Sequence, residues 1–334
     1  MTHSGAQDPL WIRRIPLRTT RGVPEPAIRW PRRFMVLALA LTSCLTGTTA
    51  EWVPRMLLLD VALTGREVVA VGERGTVVRS ADEGKTWTRG ESRTFATLTA
   101  VNFAPGSASS MGWAVGHDAL ILGTTDAGRT WTTHYQGADL QDSFLDVLAL
   151  DAANVIAIGA YGLCLVTADA GRTWSRRTLS QEDVHFNRIT RGPSGTLYVA
   201  GERGTLLRSK DQGATWTAIP APYEGSFYGV LPLGPTRLLA HGLRGHAYQS
   251  TNDGDSWTPV PTPDPALYAA SVRLQNGHIL LAGNAPTLAR SHDEGRTFTA
   301  SPSAAGALAE LLELPGGGVL AVGEAGVTVF PVQP

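Results

Sequence analysis

Cysteine is nearly absent, with only Cys44 and Cys164 in 334 residues, so no framework of disulfides staples this chain. It also lacks long stretches of helix-period apolar spacing, which argues against helical bundles and alternating α/β folds. The apolar run from Phe34 to Leu41 is too short to cross a bilayer. Basic charge is scarce in the body of the chain. Seven arginines fall within residues 1–44 against Asp8 and Glu25, leaving 21 Lys+Arg against 27 Asp+Glu in the remainder. A mildly acidic body does not neutralise a run of phosphates, so nucleic acid is excluded as the expected partner.

What is abundant points one way. Hydrophobic residues make up 43% of the chain, and 37 glycines, 21 prolines and 9 tryptophans are spread along it, the composition of an all-β protein of short strands and tight turns. The N-terminal arginines precede the Phe34–Leu41 run in the order of an export signal, with Arg32-Arg33 placed as in a twin-arginine signal. Leu41-Thr42-Ser43-Cys44 has the form of a lipobox, which makes Cys44 the candidate lipidation site, with cleavage near Thr48-Thr49-Ala50 and an uncleaved anchor as the alternatives. Residues 1–49 are therefore read as a signal region and 50–334 as one domain, exported to the periplasm and tethered to the membrane if Cys44 is acylated. Cys164 lies in an apolar strand and is expected to be a buried, unreactive thiol.

One unit repeats. Ser/Thr-x-Asp-x-Gly-x-Thr-Trp recurs at Asp82–Trp87, Asp126–Trp131, Asp169–Trp174 and Asp211–Trp216, then more loosely at Asn252–Trp257 and Asp293–Phe298. The aromatic position recurs every 41 to 44 residues, the length of a four-stranded propeller blade. Ten residues before each Asp or Asn stands a glycine, at 72, 116, 159, 201, 242 and 283, and a seventh such glycine is Gly323. Each unit reads as strand, glycine-bounded turn, strand, Asp-box turn, strand. The Asp or Asn side chain accepts backbone N–H bonds within the turn, the Ser/Thr hydroxyl adds another, and Gly takes a positive φ. The aromatic residue covers the turn. These are structural groups rather than catalytic ones.

The spacing predicts a seven-bladed β-propeller of four-stranded antiparallel blades. Its last repeat, Gly323 to Phe330, has neither Asp-box nor outer strand. Residues around 50–56, with Trp52 in the aromatic role, are expected to pair with the last blade and close the ring.

The unit at residues 70–87 and 199–216 resembles that of the photosystem II stability and assembly factor-like propellers over essentially residues 50–331. The resemblance implies a seven-bladed, exported or lumenal protein that assists assembly of a membrane complex without catalysis or cofactor. Similar propellers occur in the envelopes of non-photosynthetic bacteria. Asp-boxes also occur in sialidase-type glycosidases, so a glycoside hydrolase and a lectin-like carbohydrate binder are the alternatives. Arg14-Ile15-Pro16 matches a sialidase motif but precedes the export signal, where it cannot join a central pocket.

In a propeller the turns between second and third strands open on the face opposite the Asp-boxes. They hold Glu73-Arg74, His117-Asp118, Ala160-Tyr161, Glu202-Arg203, Leu243-Arg244, Ala285-Pro286 and Glu324-Ala325. Variable loops on a rigid scaffold carry binding function. Arg74, Arg203, Arg244, Tyr161, His117, Glu73 and Glu202 are therefore the expected partner-binding residues, ringing one end of the channel of a monomer. His241 and His246 lack metal-ligand spacing and no metal is expected. Gly316-Gly317-Gly318 is a hairpin turn, since no Gly-Lys-Ser/Thr follows it.

Overall fold

The computed structural model describes residues 54–106, 110–284, 287–302 and 306–331. These form seven antiparallel sheets in chain order, six of four strands and a last one of three. The first blade is β1 (Leu58–Thr64), β2 (Glu67–Gly72), β3 (Val77–Ser80) and β4 (Thr88–Arg89), counted from the channel outward. Second strands are buried throughout, as in Val155–Gly159 and Leu238–Gly242, because both faces of a blade pack against neighbours. Three of the six outermost strands, Thr88–Arg89, Ser175–Arg176 and Thr217–Ala218, are only two residues long and exposed.

The core is correspondingly divided into layers between blades. Val69, Val71 and Val77 of the first blade pack with Leu98, Val101 and Trp131 of the second. Leu58, Val68 and Val78 pack with Leu314, Leu320 and Val322 of the seventh. The ring is thus closed by apolar packing between first and last blades. Pro54 O also accepts the Val327 N–H at 3.3 Å. The expected closing strand falls largely outside the described residues, as do Trp52, Cys44 and the whole signal region; the described part, Pro54 to Met56, is not a strand.

The seven regularly placed glycines owe their identity to close approach rather than to dihedral freedom. A Cβ on Gly72 would lie 2.1 Å from Leu57 O, and on Gly159 it would lie 2.1 Å from Ser143 O. The second strand ends directly beneath the carbonyl of the residue that leads into the inner strand, and only a hydrogen fits.

The Asp turns have the expected bonding. Ser80 Oγ donates to Asp82 Oδ1 at 2.8 Å and accepts the Gly84 N–H at 2.7 Å, while the Thr86 N–H and hydroxyl donate to the two Asp82 oxygens. Trp87, Trp131 and Trp216 each donate their indole N–H to the carbonyl of the turn glycine. The Thr173 hydroxyl, the Thr173 N–H and the Thr167 hydroxyl hold Asp169 down at about 2, and their counterparts do the same for Asp211. In the fifth blade the bonding reverses: Asn252 Nδ2 donates to Ser256 Oγ at 2.9 Å while Asn252 Oδ1 accepts the Ser256 N–H. The turn therefore needs oxygen acceptors and a local partner, not a negative charge. A feature the sequence did not announce is that the residue before the turn glycine is also left-handed, at φ between 58° and 63° for Glu83, Ala127, Ala170, Gln212, Asp253 and Glu294.

Candidate functional site

Every inner strand carries a β-bulge one residue after its first large apolar residue, as between Leu58 and Asp60 or Phe186 and Arg188. The bulge turns the next residue toward the axis. Around the ring these residues are Asp60, Ala100, Asp146, Arg188, Gly229, Ala270 and Glu310. Asp60, Asp146, Arg188, Gly229 and Glu310 line a cavity of about 320 Å³ at the centre, together with Asn102, Tyr228, His241 and Ser271, whereas Ala100 and Ala270 pack in the core between blades.

This ring is a charge cluster. Arg188 lies 3.9 Å from both Asp60 and Asp146 and is paired with Glu310. All three carboxylates are buried. Two of them also staple blades together: Asp60 Oδ2 accepts the Val101 N–H at 2.7 Å from the second blade, and Asp146 Oδ2 accepts the Ile189 N–H at 2.8 Å from the fourth. Burial pushes Asp60 up to about 7 against the pull of Arg188, with the Asp146 charge adding to the rise. Asp146 is raised for the same primary reason.

The fifth blade makes its link differently. Gly229 stands where others have side chains, and His241 from the second strand passes over it. His241 Nδ1 donates to Tyr268 O and Nε2 accepts from the Ser271 hydroxyl, both at 2.9 Å and both in the sixth blade. Burial lowers His241 to about 4, so the ring is neutral at physiological pH. A Cβ on Gly229 would lie 2.4 Å from His241 Nε2. Gly229→Ala should therefore displace the imidazole and cost about 1–3 kcal/mol. The second blade pairs Ala100 with Val115 at these positions, so adding His241→Val should recover most of the loss in denaturant unfolding.

The expected binding residues stand elsewhere. Arg74, Tyr161, Arg203 and Arg244 each occupy the left-handed corner of a second-to-third-strand turn, at φ of 50° to 57°, and are exposed. None lines the central cavity, whose walls come mainly from the inner strands. The structure places them on separate blades of one face and does not bring the three arginines together on the axis. Glu73 accepts the Leu57 N–H at 3.3 Å, and Glu202 accepts the His185 N–H at 3.4 Å with its other oxygen 3.7 Å from His185 Nδ1. Tyr161 meets the His185 ring edge-on at 4.6 Å, and His117 Nδ1 lies 3.4 Å from Ser143 Oγ.

Several features bear on other chemistries. Burial and the Glu202 charge raise the Tyr228 phenol, opposite to what a nucleophilic tyrosine requires. Cys164 is buried and its thiol is pushed up to about 12. Among the described residues no three His, Cys, Asp or Glu side chains are placed to hold a metal ion, and no helix is long and apolar enough to cross a membrane.

Sequence reasoning missed the channel cluster and the exposed Phe95, Arg93 and Leu140 in the connections between blades. A charge two residues after the first apolar residue of an inner strand was the available signal for the cluster.

Comparison with known proteins gives a consistent picture. No curated protein matches the chain by sequence. Among solved structures, YCF48 bound to D1 peptide is 22% identical with a TM-score of 0.66, covering 84% of this chain and 94% of that one. YCF48 from Cyanidioschyzon merolae is 18% identical with a TM-score of 0.68, covering 84% and 97%. The WD40 β-propeller domain of Doa1 is 13% identical with a TM-score of 0.67, covering 83% and 94%. At these identities the likeness is one of fold. The sequence itself supplies more, since residues 134–264 match the profile of the photosynthesis system II assembly factor YCF48 family. The chain is a seven-bladed β-propeller that resembles that family, with the matching segment running from the outer strand of the second blade through the fifth.

Proposed function

We propose that this protein is an exported, non-enzymatic assembly or interaction factor that binds a protein segment of a membrane or envelope complex. The observation that carries the reading is the match of residues 134–264 to the YCF48 assembly-factor family. The solved relative with a bound D1 peptide supports a peptide-binding role for propellers of this kind. The face with the second-to-third-strand turns is the binding face, because the opposite turns are committed to their own hydrogen bonds. The N-terminal arginines, apolar run and Cys44 motif support export and a lipid tether. The protein acts as a monomer, without cofactor and without nucleic acid.

Replacing Arg74, Arg203 and Arg244 together by Asn, which tolerates the left-handed corner, should reduce retention of the full chain by native membranes about tenfold, since each exposed pair contributes roughly 0.2–1 kcal/mol. Unchanged retention in co-sedimentation would remove these arginines from the reading. Release of sugar from sialosides by the wild-type chain would overturn it altogether.

A further inference from the structure

The residue just before the Ser or Thr of each Asp turn decides how the seam to the next blade is filled. In three seams its side chain crosses to a backbone carbonyl of the next turn. Arg79 Nε donates to Ala127 O at 2.8 Å, Arg208 donates to Asp253 O at 2.6 Å and Gln249 Nε2 donates to Glu294 O at 2.8 Å. In the second blade the position is Gly123, and His134 fills the place instead. A Cβ on Gly123 would lie 2.4 Å from His134 Nε2, and one on Gly171 of the next turn 2.4 Å from His134 Nδ1.

The third blade breaks the pattern. Its residue is Val166, in register with Ile156 as Arg79 is with Val69. Valine is too short to cross and brings no donor for Gln212 O, the carbonyl that corresponds to those of Ala127, Asp253 and Glu294. The seam stands open as a cleft of about 690 Å³, lined by Leu150, Ile156, Val166, Ser175, Arg177 and Gln212 among others. Between the seventh and first blades the same cause has the same effect, since Val329 holds the equivalent register and a cleft of about 660 Å³ lies beside it.

The charges of the bridged seams are missing too. Arg79 is paired with Glu67, and Arg208 with Asp253 and Asp255. The matching residues around the third seam are Asn154, Gln212 and Ala214, and Asn154 spends its amide on Asp151. Among the residues lining this cleft only Arg177 is charged, and it is exposed. The other open seam is lined by Glu83 and Lys85.

An occupant that completes the third seam therefore needs an uncharged N–H donor for Gln212 O, because a cation would be buried there without a carboxylate. It also needs a small apolar group for Leu150, Ile156 and Val166, and hydroxyls for Ser175 and Arg177 in the open part. The geometry points to a binding site for an N-acetylated sugar between the third and fourth blades. Its acetamido N–H meets Gln212 O, its methyl lies against Val166 and Ile156, and its ring hydroxyls face Ser175 and Arg177. The planar amide of Gln249 does the same work two blades further on. This site lies among the Asp turns and is independent of the partner-binding face proposed above.

Isothermal titration calorimetry of the full chain with triacetylchitotriose, and with cellotriose, which carries hydroxyls in place of acetamido groups, tests it. The acetylated trimer should bind, and cellotriose roughly tenfold more weakly or worse, the cost of leaving the carbonyl without its donor. Saturation-transfer NMR should show the acetyl methyl as the most strongly saturated group. Val166→Gln rebuilds the bridge of the fifth blade, so it should abolish binding while the melting temperature stays at or above that of wild type. Val329→Gln, the same change in the other open seam, should leave binding unaltered. Arg177→Ala should weaken binding several-fold with an unchanged circular dichroism spectrum. Absence of binding, equal affinity for the two sugars, strongest saturation on ring protons, binding unchanged in Val166→Gln or binding lost equally in Val329→Gln would overturn the assignment.

Discussion

Replacing Arg188 by leucine should destabilise the protein by about 3 kcal/mol at pH 8, because it strands buried carboxylates without their counter-ion. Asp60, Asp146 and Glu310 come from the first, third and seventh blades and converge on this one guanidinium. Without it, each must either remain charged in a poorly solvated site or take up a proton. The cost should therefore shrink as pH falls, because Asp60 and Asp146, both raised by burial, take up protons. Denaturant unfolding at pH 8 and pH 4.5 measures it. A loss that is the same at both pH values would mean that Arg188 contributes packing alone.

Removing one of the acids should have the opposite sign. The Asp60 carboxyl is raised from 3.8 to about 7 in the folded protein, chiefly by burial. Below the unfolded value both states are protonated and the group contributes nothing. As pH rises from about 4 to 7 the unfolded chain ionises first, so the folded state is progressively penalised. Asp60→Asn keeps an oxygen for the Val101 N–H and leaves Arg188 two other partners. It should stabilise the protein by on the order of a few kcal/mol at pH 8 and by almost nothing at pH 4. A variant less stable than wild type at pH 8 would show that the Asp60 charge outweighs its burial cost.

The parts of this molecule legible from sequence are those whose cause is local and repeated. The Asp turns announce themselves because hydroxyl, carboxylate and glycine act within a few residues of one another, six times over. The seven glycines were equally visible, although their cause, a carbonyl 2.1 Å from a would-be Cβ at Gly72, is not a local one. The channel cluster was hidden for the opposite reason. Asp60, Asp146, Arg188 and Glu310 repeat no single residue type around the ring, and only the bulge in each inner strand makes them neighbours. His241 shows no metal-ligand spacing in the sequence, and its purpose appears only with Gly229, which clears its path to the next blade. Arg93 and Phe95 lie in a connection that does not repeat, so nothing in the pattern drew attention to them.

The charged channel is consequently separate from the surface proposed to bind a partner. The axis holds a buried ion cluster that ties blades together, and the Asp turns spend their polar groups on themselves. The face proposed to meet a partner bears Arg74, Tyr161, Arg203 and Arg244 at exposed, left-handed corners. Site-specific photo-crosslinking in the native envelope tests that assignment most directly. A benzophenone side chain at Tyr161 should capture a membrane-complex subunit, and the same group at Arg172, exposed in an Asp turn on the opposite face, should not. Capture from Arg172 and none from Tyr161 would contradict the account.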